Sequence, residues 1–242
     1  MISIHVSAVC RVRDGYTGRE LPPSALTCTM DGIPCRPVCK EGGYLVFTNL
    51  SHGSHHLSLR GRGYQEEWVE FNSSDAGSVR EIEVTMKPGP GYPFRQTVTR
   101  LTLTVLEKNA PVPGRMLWLA AAGPELKIAQ TRAEAGERET RIYCKGAAVP
   151  GAYLVADGKN SEIVALRAVE GEKAFLTAPL KNSHSRGRVL CPAQRYRTGA
   201  DGSLTAVFRT PCTIQVFSSF GSAGLLGSIE LSEGENHSTI KL

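Results

Sequence analysis

The chain has 242 residues, enough for one large domain or two small ones, and its 41% hydrophobic residues can bury a core. With 14 Pro, 25 Gly, 7% aromatic and 21% charged residues, the composition excludes a disordered polymer and a collagen-like repeat and points to turn-rich globular structure. The net charge of +5 is uneven, residues 1–90 carrying 9 Lys/Arg against 10 Asp/Glu and residues 91–242 carrying 19 against 13.

From the first residues onward, apolar positions alternate with polar ones. Ile2, Ile4 and Val6 alternate with Ser3, His5 and Ser7, opening a predicted strand that runs to Val12. Successive strand side chains point to opposite faces, so each such run describes a strand with one buried face. The same period recurs at Leu57/Leu59, Ile82/Val84, Leu101/Leu103/Val105, Ile214/Val216 and Ile229/Leu231. Glycine, proline and Asp-Gly turns separate these runs at short intervals, as antiparallel strands require. The one helix-compatible stretch, Arg132 to Thr140, has a central glycine and no apolar stripe, and is equally a loop or a single turn. The longest apolar run, Met116 to Ala122, is far short of the roughly 20 residues of a membrane-spanning helix. No basic head followed by an apolar stretch opens the chain, so the expected location is the cytoplasm or an intracellularly assembled particle, or the cell surface if the sequence is a fragment.

Lys87-Pro88-Gly89-Pro90-Gly91-Tyr92-Pro93 cannot continue a sheet ladder and reads as a short, semi-rigid connector. The predicted organisation is therefore a domain over 1–87, a Pro/Gly linker over 88–96, and a larger domain over 97–242. The two share a plan. Gly42 to Phe47 followed by His56 to Leu59 in the first matches Asp201 to Phe208 followed by Thr213 to Phe217 in the second, and each closes on a final strand, Ile82 to Val84 and Ser238 to Ile240. The expected fold class is all-β, with two tandem antiparallel sandwiches, the second enlarged by strands inserted between about 125 and 200.

Thr17-Gly18-Arg19-Glu20-Leu21 gives a Thr-Gly-x-x-Leu turn, Gly43-Tyr44-Leu45-Val46-Phe47-Thr48-Asn49-Leu50 a Gly-Tyr-x-x-Phe-x-x-Leu strand close to a Gly-x-Tyr-x-Phe-x-x-Leu pattern, Gly53-Ser54-His55-His56-Leu57 a second Gly-led strand and Gly63-Tyr64 a Gly-Tyr turn. On these residues the first domain resembles the carboxypeptidase-regulatory-like, or transthyretin-like, β-sandwich modules; the second domain shares only its closing third. The resemblance implies a small Ig-like accessory sandwich that spaces, displays or docks. The related collagen-adhesin modules carry a Lys–Asn isopeptide bond from the first strand, which here contains no lysine. Transthyretin-like hydroxyisourate hydrolases open on a His-Val pair, as His5-Val6 does, but the Tyr-Arg-Gly-Ser with which they close is missing, so a hydrolase is the least favoured alternative.

Candidate chemistry is sparse. His52, His55 and His56 form the one histidine cluster, but alternation sends His55 and His56 to opposite faces, so a metal would need a convergence that the strand does not provide. Glu66, Glu67 and Glu70 show no partner base or nucleophile and read as a solvated face. Tyr44, Tyr64 and Trp68 are the candidate contacts for a partner or a sugar ring, with a core or corner role as the plainer reading. Lys181, Arg186, Arg188, Arg195, Arg197 and Arg209 make a basic stretch with only Tyr196 interleaved, so no nucleic-acid partner is expected.

Seven cysteines cannot all pair within one chain, and Cys35-x-x-x-Cys39 has no second pair at zinc-ligand spacing. Most read as reduced, small apolar residues. No Gly-x-Ser-x-Gly elbow or phosphate-binding loop occurs; Ser218 to Gly224 reads as a hairpin turn. Asn72-Ser73-Ser74 and Asn236-His237-Ser238 match the glycosylation triplet. The expectation is a non-enzymatic structural or interaction protein, a two-module spacer or docking component of a bacterial or phage-tail-like assembly, with protein partners and no cofactor, metal or catalytic residue. The alternative is a carbohydrate-binding or adhesion module using Tyr44, Tyr64 and Trp68.

Overall fold

The computed structural model describes residues 5–73, 79–121, 126–145, 148, 150–218 and 224–242. Residues 2–4 of the first predicted strand, Ser74 of the first Asn-x-Ser triplet, Ala122 at the end of the longest apolar run, and positions 219–223 of the predicted hairpin turn lie outside these. The described residues are all-β apart from two single 3-10 turns, Pro23–Ala25 and Gly158–Asn160. No helix among them is long and apolar enough to cross a membrane. The chain divides into two compact units, Met1–Gln96 and Thr97–Leu242.

The first unit holds β1 (Val6–Asp14), β2 (Leu26–Met30), β3 (Ile33–Cys35), β4 (Val38–Lys40), β5 (Tyr44–Thr48), β6 (Gly53–Gly61), β7 (Glu67–Ser73) and β8 (Arg80–Met86). They form two four-stranded sheets, ordered β4-β5-β1-β8 and β3-β2-β6-β7. Every second residue of β1 (Ala8, Cys10, Val12) is buried, as are Leu45, Phe47, Leu57, Leu59, Ile82 and Val84 on the strands around it. The period-two pattern thus becomes the inner faces of a sandwich. β1 pairs antiparallel with β5 and parallel with β8, the last strand.

Residues 88–96, read from the sequence as a connector, belong to this unit. Gln65 N–H donates to the Lys87 carbonyl at 2.9 Å and Gly89 N–H to that of Gly63 at 2.8 Å. Glycine makes the approach possible: a Cβ on Gly63 would lie 2.9 Å from the Gly91 carbonyl oxygen.

The second unit begins with β9 (Thr99–Glu107), β10 (Ala110–Pro111), β11 (Met116–Ala121), β12 (Leu126–Ile128), β13 (Arg132–Ala133), β14 (Glu139–Cys144), β15 (Gly151–Ala156) and β16 (Glu162–Glu170). It continues with β17 (Lys173–Leu176), β18 (His184–Ser185), β19 (Val189–Arg197), β20 (Ser203–Phe208), β21 (Thr213–Phe217), β22 (Leu225–Glu230) and β23 (Gly234–Lys241). The helix-compatible stretch is β13, a turn and the start of β14. β9 repeats the role of β1, pairing antiparallel with β20 and parallel with the final strand β23. Facing it, β19-β11-β21-β22 repeats the order β3-β2-β6-β7. Leu101, Leu103, Val105, Leu117, Leu119, Leu204, Ala206, Ile214 and Val216 fill the space between.

The inserted strands lie between β11 and β19, the place where the first unit has only the Asp31–Gly32 turn between β2 and β3. They do more than widen a sandwich. The sequence β12-β14-β17-β16-β15-β19 closes when β19 meets β12 again at Lys127 and Val189, making a six-stranded ring. Leu126, Ile128, Ile142, Tyr153, Val155, Leu166, Leu176 and Leu190 fill its interior. β19 serves both parts: Val189–Pro192 pair with β15, and Ala193–Arg197 pair with β11.

Gly43, at φ 74°, carries the turn into β5, and a Cβ there would meet the Val12 carbonyl oxygen at 3.0 Å and that of Leu21 at 3.1 Å. Gly18 has the same φ and open space around it. Gly43→Ala should therefore cost more than Gly18→Ala, about 2–3 kcal/mol against about 1 kcal/mol, in urea unfolding of the full chain.

Candidate functional site

The structure does not bring Tyr44, Tyr64 and Trp68 together. Trp68 stands on the outer face of β7, 44% exposed, its indole N–H donating to Ser58 Oγ at 3.2 Å. Tyr44 lies on the outer face of β5, in the other sheet, with the Arg11 guanidinium 5.4 Å from its ring centroid. Those outer faces look in opposite directions, so the three rings offer no shared stacking platform.

Tyr64 sits in a polar-centred aromatic cluster. Its hydroxyl donates to Asp14 Oδ2 at 2.8 Å, and the Tyr92 hydroxyl donates to the same oxygen at 2.6 Å. Asp14 Oδ1 accepts the backbone N–H groups of Tyr16 and Thr17. Burial works against the Asp14 charge, but these four donors hold its carboxyl below the ordinary value of 3.8. Burial and the Asp14 carboxylate push the Tyr92 phenol up to about 12. Tyr16, Tyr64, Tyr92 and Phe94 pack around this centre with ring centroids 4.7–5.8 Å apart. The cluster clasps residues 92–94 to the turn after β1.

His55 and His56 diverge. His56 faces solvent beside Glu70, while His55 is buried on the face of Leu57 and Leu59. His55 Nδ1–H donates to Asp31 Oδ2 at 2.7 Å, and its Nε2 lies 3.2 Å from Ser73 Oγ. That is the contact order of a hydrolytic Asp-His-Ser triad. The rest of the geometry removes the chemistry. Nε2 also lies 2.8 Å from the Ser51 carbonyl oxygen, which can only accept, so this nitrogen carries its proton and cannot take one from Ser73. Ser73 Oγ donates to that same carbonyl and is 5% exposed. The Asp31 and Ser51 oxygens raise the His55 pKa above 6.5. The result is a pinned imidazolium.

A second such cluster closes one end of the six-stranded ring. His184, fully buried, has Nδ1 2.9 Å from Asp157 Oδ2 and Nε2 2.9 Å from Glu162 Oε1. Arg188 Nε reaches the other Asp157 oxygen at 2.8 Å, and Glu162 accepts the N–H groups of Lys181 and Asn182 at 3.0 and 2.8 Å. Burial alone would lower His184, but its hydrogen bonds to Glu162 and Asp157 outweigh that and raise its pKa above 6.5. Burial would likewise raise Glu162, and His184 with the two backbone donors brings it below 4.5. No local sequence pattern marks this cluster, because its members lie on separate strands and turns and no spacing links them.

The basic stretch disperses: Arg188 is paired within the His184 cluster, and Arg197 donates to the Gly114 carbonyl. A concavity of about 630 Å³ beside β12 and β14, lined by Lys127, Arg141, Tyr143, Glu172 and Arg186, contains neither histidine nor cysteine. Among the described residues no group of three or more His, Cys, Asp or Glu is placed to hold a metal.

No protein-family model and no curated protein matches the chain. Solved structures that resemble it include the major pilin subunit BcpA of Bacillus cereus, in a D312A form, at 11% identity and TM-score 0.29, with 99% of each chain covered. The shaft pilin SpaA of Lactobacillus rhamnosus GG aligns at 8% identity and TM-score 0.28, covering 98% of this chain and 96% of that one, as its E269A/D295N double mutant. A streptococcal ancillary pilin aligns at 9% identity and TM-score 0.26, covering 98% and 62%.

His184→Ala should destabilise the second unit by about 3–5 kcal/mol in urea unfolding, because it leaves Glu162 buried with its cation gone and Asp157 with Arg188 alone. A raised histidine pKa stabilises fully below the unfolded value of 6.5 and is lost as pH rises through the folded value; a lowered glutamate pKa stabilises above 4.5 and is lost as pH falls through the folded value. The His184 contribution to stability should therefore be greatest between pH 4.5 and 6.5 and decline toward alkaline pH, with His184→Gln flattening the profile. In the aromatic cluster, Tyr92→Phe should cost about 1–3 kcal/mol, by removing one of the hydroxyls that satisfy the Asp14 carboxylate.

Proposed function

We propose that the protein is a non-enzymatic structural component, docking through the edges of its sandwiches within a larger bacterial or phage-tail-like assembly. The observation that carries this reading is the saturation of its buried ionisable clusters. His55 and His184 each have acceptors on both ring nitrogens and stand closed to solvent, so neither offers a base to a substrate. The apolar surface of the first unit supports docking. Ile33 on β3, Val38 on β4 and Trp68 on β7 are 69%, 49% and 44% exposed, and all three strands are sheet edges. Edge strands present unpaired backbone groups, and an exposed apolar side chain beside them gives a partner strand both hydrogen bonds and an anchor. Protein partners follow from this reading, with no cofactor.

The test is recovery of partners by the tagged full chain from its own cells, compared with an Ile33→Lys, Val38→Lys, Trp68→Ala variant that keeps its thermal unfolding midpoint. Loss of an aromatic anchor costs about 2 kcal/mol, so partner recovery should fall by roughly 30-fold. Unchanged recovery, or turnover of a substrate abolished by a single polar substitution, would contradict the proposal.

A further inference from the structure

The β2–β3 hairpin places two cysteines directly across from each other. Asp31 and Gly32, at φ 53° and 79°, form a two-residue turn with both central residues left-handed, the geometry that fits the twist of a tight antiparallel hairpin. That turn fixes the register: Met30 opposite Ile33, Thr29 opposite Pro34, Cys28 opposite Cys35. The pairing is held on both sides. Asp31 Oδ1 accepts the His56 N–H at 2.7 Å and its other oxygen holds His55, so the turn is tied to β6, with which β2 also pairs. A slip of one residue would expose Cys28 and Met30, both buried in the sandwich core.

Directly opposed residues of antiparallel strands have Cα atoms about 4.5–5.5 Å apart, inside the roughly 4.4–6.8 Å span of a disulfide. Opposed residues also point to the same face, and Cys35 packs against the core in which Cys28 is buried. All seven cysteines carry free thiols, and Cys39 on β4 is exposed. We propose that Cys28 and Cys35 form a thiol pair that closes to a cross-strand disulfide when the protein meets a small-molecule disulfide oxidant, stapling edge strand β3 to β2.

The chemistry is two thiol–disulfide exchanges. The thiolate of Cys35, the more accessible of the two, attacks one sulfur of the oxidant, forming a mixed disulfide and expelling one thiolate. Cys28 then attacks the Cys35 sulfur and expels the second. Two protein thiols are oxidised to one disulfide, the oxidant is reduced to two thiols, and those thiols take up the two protons. Burial is the main cause that raises the Cys28 thiol to about 12, and it persists once Cys35 is in the uncharged mixed disulfide, so the second step is slow and quickens with rising pH.

The experiment exposes the native full-length chain to oxidised glutathione at pH 8, blocks remaining thiols, and maps disulfide-linked peptides by mass spectrometry. The expected product links Cys28 to Cys35, forms in Cys39→Ser as in the natural sequence, is absent from Cys28→Ser and from Cys35→Ser, and forms about tenfold faster per pH unit while Cys28 stays protonated. A dominant Cys35–Cys39 linkage would overturn the proposal. So would persistent glutathionylation of Cys35 without closure in the natural sequence. Thermal unfolding of the serine variants confirms that each remains folded, so that a missing linkage reports on the thiols.

Discussion

One strand in each unit holds the architecture together. β1 and β9 each lie between an antiparallel neighbour and the unit's own last strand, which returns parallel to them. Parallel pairing of the first and last strands joins the two ends of each unit in one ladder, so no unit completes its sheet until its whole sequence is present. The alternating face of the same strand supplies the centre of the core: Ala8, Cys10 and Val12 in one unit, Leu101, Leu103 and Val105 in the other.

Given that frame, elaboration is confined to the connections. The link from β2 to β3 is two residues in the first unit, whereas the corresponding link from β11 to β19 supplies five strands of the ring, β19 being the sixth. Inserting the ring leaves the sandwich order intact because β19 continues from the ring into the place beside β11, and Ala120, Leu154, Ile163, Ala193 and Phe217 pack where the two parts join. Three ionisable groups caught inside are each held by several hydrogen-bond partners. Asp14 takes four donors, His55 two acceptors, His184 two carboxylates. A buried charge left unpaired would cost several kcal/mol, and these arrangements leave it neither unpaired nor reactive.

Much of this was legible in the residues themselves. Period-two alternation located the strands, and the likeness of Gly42–Phe47 to Asp201–Phe208 found segments that occupy equivalent places, β5 and β20, beside the first strand of each unit. Divergence of His55 and His56 followed from strand geometry alone. What escaped is what depends on distant pairing. Asp14 and Tyr92 are 78 residues apart, and no local pattern announces that the aromatic residues of a Pro/Gly segment will close over an aspartate. Ring closure rests on a short contact between β12 and β19, invisible to a pattern that reads each strand singly. Tyr44, Tyr64 and Trp68 were singled out for residue type, and type does not reveal which face of which sheet a ring occupies.

The central claim is that the buried histidines are fixed, charged members of the scaffold. Nitrogen-15 NMR of the two imidazoles at pH 6.5, where an ordinary histidine is half protonated, tests it most directly. His55 and His184 should each be mainly doubly protonated there, with N–H signals on both ring nitrogens protected from solvent exchange. A neutral tautomer at either residue, with one nitrogen bare and exchanging freely, would contradict the account and reopen that histidine as a base.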